Sequence, residues 1–202
     1  MAMIVIGGHS RNVGKTSVVA GLIAALPERH WTAVKITQYG HGICSVNGES
    51  CGCAVDEHTV AVSEERDRTG ESDTSRFLVS GAARSLWVRT KQGFLAEAMP
   101  ELRKRIAGAR DVIIESNSVM RFLRPDLYLT VLDYETADFK ASAREYLDRA
   151  DAVILHATAP GMEASQWSGV PVKLLQDKPV FPIVPPQYVT PAIVDFVRQA
   201  LH

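Results

Sequence analysis

The sequence lacks the features that mark a membrane-embedded, nucleic-acid-binding or disulfide-stabilised protein. Lys and Arg number 22 against 23 Asp and Glu, so no basic excess points to nucleic acid. No apolar run is long enough to span a bilayer. The cysteines number three, an odd count, and all fall within ten positions, which is unlike a disulfide framework. We therefore expect a cytoplasmic protein, since a strand pattern begins at once, without a signal peptide.

The most informative stretch is an apolar strand followed by a glycine-containing loop and a helix, in residues 3–17. Gly14-Lys15-Thr16 at its end is typical of a phosphate-binding loop, in which backbone N–H groups and the helix N-terminus hold a triphosphate. The lysine reaches the β- and γ-phosphates, and the threonine hydroxyl ligates Mg²⁺. The full pattern has a glycine where this chain has His9. The predicted nucleotide contacts are Gly8, His9, Ser10, Asn12, Val13, Gly14, Lys15, Thr16 and Ser17.

Apolar strand patterns alternate with helical patterns along the whole chain, which favours a mostly parallel sheet covered on both faces. We predict a single P-loop NTPase domain over residues 1–202, with a three-layer α/β/α architecture. The predicted strands are 2–6, 31–36, 85–90, 111–115, 126–132, 152–156 and 180–184. The predicted helices are 16–26, 74–80, 93–107, 141–149 and 191–201.

Two charged residues lie at strand ends, where open parallel sheets bind their ligands. Glu115 follows the apolar run Val-Ile-Ile, and we expect it to hold Mg²⁺ together with Thr16 or to orient a nucleophile. Lys35 lies late in an apolar strand and is a candidate second cation for phosphate or substrate. Ser116 and Asn117 would offer a hydroxyl and an amide beside the γ-phosphate.

The base of the nucleotide is left open by the sequence. Many guanine-specific enzymes carry Asn-Lys-x-Asp after a late strand, whereas residues 156–159 here read His-Ala-Thr-Ala. Either the base is adenine, or guanine is recognised differently, for example through backbone groups near residues 185–187. The nucleotide is therefore GTP or ATP.

Residues 37–72 lose the strand and helix pattern and form a predicted insert after the second strand. The segment is longer than most loops inside compact domains, which favours a functional role. Cysteine and histidine in one polar segment favour a zinc or other transition-metal site, with free thiols and a redox pair as the alternatives. The candidate ligands are Cys44, Cys51, Cys53 and His41, with His58 as the alternative fourth ligand.

Together these motifs resemble the SIMIBI class of P-loop NTPases, and most closely the molybdopterin-guanine dinucleotide biosynthesis adaptors (MobB-like). The phosphate loop without its first glycine is similar to that group, as is Lys35 at the end of the second strand. Residues 71–76, Glu-Ser-Asp-Thr-Ser-Arg, followed by Gly81-Ala82, resemble its Lys-Asp-Ser…Ala-Gly-Ala stretch. The strand that ends at Glu115 resembles its Glu-Gly segment.

The likeness covers residues 3–120 and has departures. Ser116-Asn117 replaces the usual Gly-Phe, residues 36–38 lack the adaptor's histidines, and the cysteine-rich insert is atypical. The resemblance implies that Asp73 contacts Mg²⁺ or the nucleotide as a switch residue, beside Lys15, Lys35 and Glu115, and that the chain forms a homodimer. The class also contains nickel-delivery GTPases, which use Cys and His near the nucleotide, and dethiobiotin synthetase-like ligases.

Three functions follow. The first is Mg²⁺-dependent binding and slow hydrolysis of a nucleoside triphosphate by an accessory factor in metal-cofactor assembly or metal delivery, acting with a cofactor-biosynthesis or metalloenzyme partner. The second is an ATP-dependent ligase or kinase that acts on a small molecule. The third is a nucleotide-binding module without turnover.

Overall fold

The computed structural model describes residues 1–39, 59–157, 167, 170 and 172–201. Its strands are β1 (Ala2–Gly8), β2 (Trp31–Tyr39), β3 (Val60–Glu64), β4 (Arg84–Lys91), β5 (Asp111–Glu115), β6 (Leu127–Leu132), β7 (Ala152–His156) and β8 (Val180–Ile183). Its helices are α1 (Lys15–Ala25), α2 (Asp73–Val79), α3 (Leu95–Ile106), α4 (Ala141–Glu145) and α5 (Pro191–Ala200).

All of these strands join one sheet, in the order β3-β4-β2-β5-β1-β6-β7-β8. Every neighbouring pair is parallel except β3 with β4, which is antiparallel. The central strand β5 is buried at every position, because its apolar run is covered on both faces. Parallel pairing brings the carboxyl ends of β1, β2 and β5 to the same edge of the sheet.

Helices cover both faces of the sheet and give the predicted three layers. On one face α1 and α5 pack through Leu22, Ile23, Ile193 and Val197 onto β1, β6 and β7. On the other face α3 presents a stripe at helical spacing, which includes Leu102, to β2, β4 and β5. None of the described helices is long and apolar enough to cross a membrane.

The strands and helices predicted from the sequence are present, with shifted ends. Strand β2 continues to Tyr39, and β1 continues to Gly8. The predicted helix over residues 141–149 is the short helix α4 followed by a separate 3₁₀ turn, Leu147–Arg149. The helix predicted over residues 93–107 is α3, which contains Pro100.

The start predicted for the insert is wrong, and part of its interior is a strand, whereas its predicted end agrees with the start of α2 at Asp73. Residues 37–39 belong to β2, and β3 lies within the stretch predicted to be irregular. Only two β3 residues, Val60 and Val62, pack against the core. The alternation of apolar and polar residues that predicts a strand is therefore too short to be recognised among the polar residues around it. The candidate metal ligands Cys44, Cys51, Cys53, His41 and His58 lie outside the described residues.

Candidate functional site

The loop between β1 and α1 has the backbone that a phosphate-binding loop requires. Gly14 precedes the helix with φ 86°, a left-handed conformation that favours glycine. A Cβ at Gly14 would also collide with the ring of Tyr188. The first helical hydrogen bond runs from Val18 N–H to Gly14 C=O at 2.9 Å, so the earlier N–H groups of the helix have no partner within it. Those groups are available to an anion.

Lys15 lies over this loop, as the motif predicts. Its ammonium donates to the Ser10 carbonyl at 2.5 Å. Burial lowers the pKa of Lys15 to about 8, against the opposing attraction of Glu115. A buried lysine whose pKa is lowered in this way is stabilised in its charged form by any anion that enters the loop.

Four of the predicted residues meet beside Lys15 in one polar cluster, the Thr16–Lys35–Asp73–Glu115 quartet. The Thr16 hydroxyl donates to Glu115 Oε2 at 2.8 Å. The Lys35 ammonium contacts Glu115 Oε1 and lies 2.9 Å from Asp73 Oδ2 and 3.4 Å from Thr16 Oγ1. Catalytic and metal-binding residues predicted separately from the sequence therefore form a single site.

The sheet register explains why Lys35 and Glu115 meet. They are paired residues on the adjacent parallel strands β2 and β5, at the ligand-binding edge. The Glu115 carboxylate is buried, at 3% side-chain exposure, so it needs a cation or strong donors. Burial alone would lower the pKa of Lys35, but the charges of Glu115 and Asp73 outweigh it and raise that pKa.

Asp73 joins the quartet because α2 begins at that residue. The helix N-cap is Ser72, whose Oγ accepts from the Ser75 N–H at 3.1 Å, so the helix begins one residue earlier than the predicted range 74–80. The Asp73 side chain is thereby left to face Lys35. Arg76, one turn further along, lies 3.8 Å from Asp73 and donates to the Ser17 hydroxyl at 3.2 Å. This contact ties α2 to the first turn of α1.

The oxygens of the quartet suit a hard divalent cation. A hydroxyl and two carboxylates surround the Lys35 ammonium, and Mg²⁺ takes oxygen ligands of these kinds. Among the described residues, no group of three or more His, Cys, Asp or Glu could hold a metal alone. Mg²⁺ does not need such a group, because water and phosphate complete its shell.

Asn117 has a different role from the one predicted. Its amide donates to the Gly8 carbonyl at 2.8 Å and accepts from the Gly8 N–H at 2.9 Å, so it pairs with the end of β1. The Tyr128 hydroxyl donates to the same amide oxygen at 3.3 Å. A Cβ on Gly7 would lie 2.5 Å from that hydroxyl, which explains the glycine there. Asn117 therefore positions the phosphate loop.

The His9 ring, which replaces the first glycine of the motif, is fully buried beneath the loop. Its Nε2 lies 3.2 Å from the Thr136 carbonyl, and the ring packs against Phe139 and Trp167 at centroid distances of 5.3 and 4.9 Å. Burial lowers the pKa of His9. The ring therefore anchors the loop to the residues that follow β6.

The segment after β6 is a part of the site that the sequence patterns missed. Asp138 accepts from the Ser10 hydroxyl at 2.8 Å, and the Lys140 N–H donates to the His9 carbonyl at 2.8 Å. The charge of Lys140 is felt by Lys15, whose pKa it helps to lower. The segment follows a strand next to β1, so the rule that ligands bind at strand carboxyl ends could have indicated it.

No protein-family model and no curated protein matches the sequence. Among solved structures, the hydrogenase maturation factor HypB from Archaeoglobus fulgidus has a TM-score of 0.57 at 12% identity, over 100% of this chain and 91% of that one. HypB from Helicobacter pylori, in complex with nickel, has a TM-score of 0.51 at 15% identity, over 98% and 84%. Bacillus subtilis MobB has a TM-score of 0.44 at 16% identity, over 98% of each chain.

At such low identity, the likeness to the two HypB structures establishes the fold alone. That fold is a mostly parallel sheet with helices on both faces, and the α/β fold class predicted from the sequence is confirmed at that level.

Replacing Asn117 with Ala should destabilise the protein, because it leaves the Gly8 N–H and C=O without partners in a buried place. The expected loss is about 2–4 kcal/mol of unfolding free energy in chemical denaturation. Asn12→Gly is the matched control, since Asn12 is exposed and has φ 56°, which glycine adopts freely. Equal stability of Asn117→Ala and wild type would contradict the assigned role.

Triphosphate affinity should fall as pH rises above about 8, the pKa of Lys15 in the free protein. A bound anion raises that pKa, so binding takes up a proton above pH 8 and none well below it. Calorimetry between pH 7.5 and 9.5, in two buffers of different ionisation enthalpy, measures this uptake.

Lys15→Gln should bind weakly and without the pH dependence. The same pH dependence in Lys15→Gln would assign the titration to another group.

Proposed function

We propose that this protein binds GTP or ATP with Mg²⁺ and hydrolyses it slowly, as an accessory factor in metal-cofactor assembly or metal delivery. The observation that carries the proposal is the Thr16–Lys35–Asp73–Glu115 quartet beside a phosphate loop. Mg²⁺ would neutralise phosphate charge when bound, held by Thr16, Glu115 and Asp73. The quartet is consistent with the switch role that the resemblance implies for Asp73.

The side chains supply most of what phosphoryl transfer needs, which is positioning and electrostatic stabilisation. Lys15 and the free N–H groups of α1 would hold the β- and γ-phosphates. Lys35 adds a second cation next to them, and its pairing with Glu115 and Asp73 fixes its position. A fixed cation stabilises developing charge better than a mobile one, because no reorganisation is needed.

Hydrolysis should be slow without a partner. The Glu115 carboxylate accepts from both Thr16 and Lys35, so it is engaged in holding the site rather than free to orient a water. Slow turnover fits a switch whose bound nucleotide controls an interaction, here with a homodimer partner or a metalloenzyme partner protein. The likeness of fold to a hydrogenase maturation factor and to a nickel-bound HypB supports the metal-delivery setting.

The Cys44–Cys51–Cys53–His41 site for zinc or another transition metal remains part of this proposal and rests on ligand chemistry. The ligase or kinase is the second candidate. In that case Lys35, which is held by Glu115 and Asp73 at the edge of the sheet, would bind the small substrate.

The test is nucleotide binding and phosphate release with Mg²⁺, for ATP and GTP separately. Wild type should bind one nucleotide per chain and release phosphate slowly. Lys15→Ala should weaken triphosphate binding roughly 100-fold or more, because a charged donor to phosphate is lost from a buried site. Lys35→Met should slow turnover about 10–100-fold, with a smaller effect on binding. Lys104→Ala, on exposed α3 surface, is the matched control.

The outcomes separate a hydrolase from a nucleotide-binding module. Phosphate release that disappears in Lys15→Ala supports a hydrolase, whereas binding without release under any condition supports a binding module. Replacing all three cysteines with serine should remove any co-purifying transition metal and leave intrinsic turnover intact. Nucleotide binding of equal strength in wild type and Lys15→Ala would contradict the proposed site.

A further inference from the structure

A half-buried tryptophan and arginine lie on the sheet just beyond the quartet, and the proposed hydrolysis leaves them without a role. Trp87 and Arg89 are on β4, and Thr37 is on the neighbouring strand β2. Among the described residues, Trp87 packs into none of the three hydrophobic clusters. An aromatic ring that is neither in the core nor fully exposed calls for a physical explanation.

These three side chains form one connected arrangement. The Trp87 indole N–H donates to the Thr37 hydroxyl oxygen at 3.0 Å. The Arg89 guanidinium lies over the Trp87 ring, 4.6 Å from its centroid. Thr37 and Arg89 are paired in register on adjacent strands, so their side chains emerge side by side from the same face. The arrangement is therefore held in place before any ligand arrives.

The hydrogen-bonding capacity of the arrangement is only partly used. Arg89 Nε is buried and has no hydrogen-bond partner, and the guanidinium forms no ion pair with any described residue. Since the Thr37 oxygen already accepts from Trp87, its own O–H remains to donate, and no described group accepts it. The charge of the half-buried guanidinium therefore lacks a counter-ion among the described residues, and an anion bound to its accessible N–H groups would stabilise it.

Thr37 and Arg89 lie next to the proposed nucleotide site. Lys35 and Thr37 are two residues apart on β2, so they share a face and their Cα atoms are about 7 Å apart. Trp87 is the register partner of Lys35, just as Arg89 is of Thr37. A ligand on Arg89 would therefore lie next to the quartet, on the side away from α1.

We propose that Arg89 and Thr37, held by Trp87, form an anion subsite for a second ligand, a small molecule that carries a carboxylate or phosphate group. The guanidinium fork matches either anion with two parallel hydrogen bonds, and the Thr37 hydroxyl supplies a third. A single arginine with one hydroxyl suits a compact anion. The subsite lies beside a bound phosphate only if the nucleotide binds next to the quartet, so this part of the inference rests on the proposed nucleotide site.

The experiment follows the Trp87 indole N–H signal by NMR in ¹⁵N-labelled protein saturated with Mg²⁺ and a non-hydrolysable ATP or GTP analogue, whichever of the two binds. The chain has three tryptophans, and Trp87→Phe identifies the signal that belongs to Trp87. Inorganic phosphate and succinate are titrated in separate arms, to distinguish a phosphate from a carboxylate ligand. The bound triphosphate analogue fills the phosphate loop up to the γ-phosphate position, so added phosphate is kept out of it.

At least one of the two anions should shift the Trp87 signal along a saturable curve. Arg89→Met and Thr37→Val should each weaken the apparent affinity, Arg89→Met about tenfold or more, because charged hydrogen bonds are lost. Arg110→Met is the matched control, since Arg110 is exposed and lies at the opposite edge of the sheet. It should leave the titration unchanged.

The proposal is overturned if neither anion shifts the Trp87 signal saturably, or if Arg89→Met binds as well as wild type. A shift reduced equally by Arg89→Met and Arg110→Met would mean a general charge effect and would also overturn it. The other two indole signals show whether each variant is folded. Failure of both the ATP and the GTP analogue to bind would instead count against the proposed nucleotide site, so the two failures are distinguishable.

Discussion

The ion pair between Lys35 and Glu115 is the interaction on which the site depends. It joins two residues in register on adjacent parallel strands, β2 and β5, at the edge where β1 turns into the phosphate loop. Thr16, the residue that would ligate Mg²⁺, donates to the same carboxylate. The sheet, the loop and the first turn of α1 are therefore fixed relative to one another by one buried acid.

That arrangement explains why charge is concentrated where burial is otherwise costly. A buried carboxylate beside two lysines is retained when it serves binding, since an apolar replacement would be no less stable. Burial lowers the pKa of Lys15 to about 8, whereas Glu115 and Asp73 raise that of Lys35. The two lysines thus differ in their partners. Lys15 is free to bind an incoming anion, whereas Lys35 is already paired with the Glu115 and Asp73 carboxylates.

Much of the fold and the central site could be predicted from the sequence, because each rests on a local pattern. Apolar runs predict where the strands lie, and Gly14-Lys15-Thr16 predicts the phosphate-binding loop between β1 and α1. Long-range pairing carries no such pattern, which is why the role of Asn117 was misassigned and Lys140 was missed. Strand β3 was missed because it contributes only two residues to the core.

The central claim is that the quartet and a triphosphate together bind one divalent cation. Its most direct test is Mn²⁺ electron paramagnetic resonance on protein saturated with a non-hydrolysable ATP or GTP analogue. We expect one Mn²⁺ per chain, with a spectrum distinct from that of the Mn²⁺–nucleotide complex in solution, and weaker binding in Thr16→Val and Glu115→Gln. A spectrum identical to that of the free complex, or unchanged in both variants, would contradict the claim.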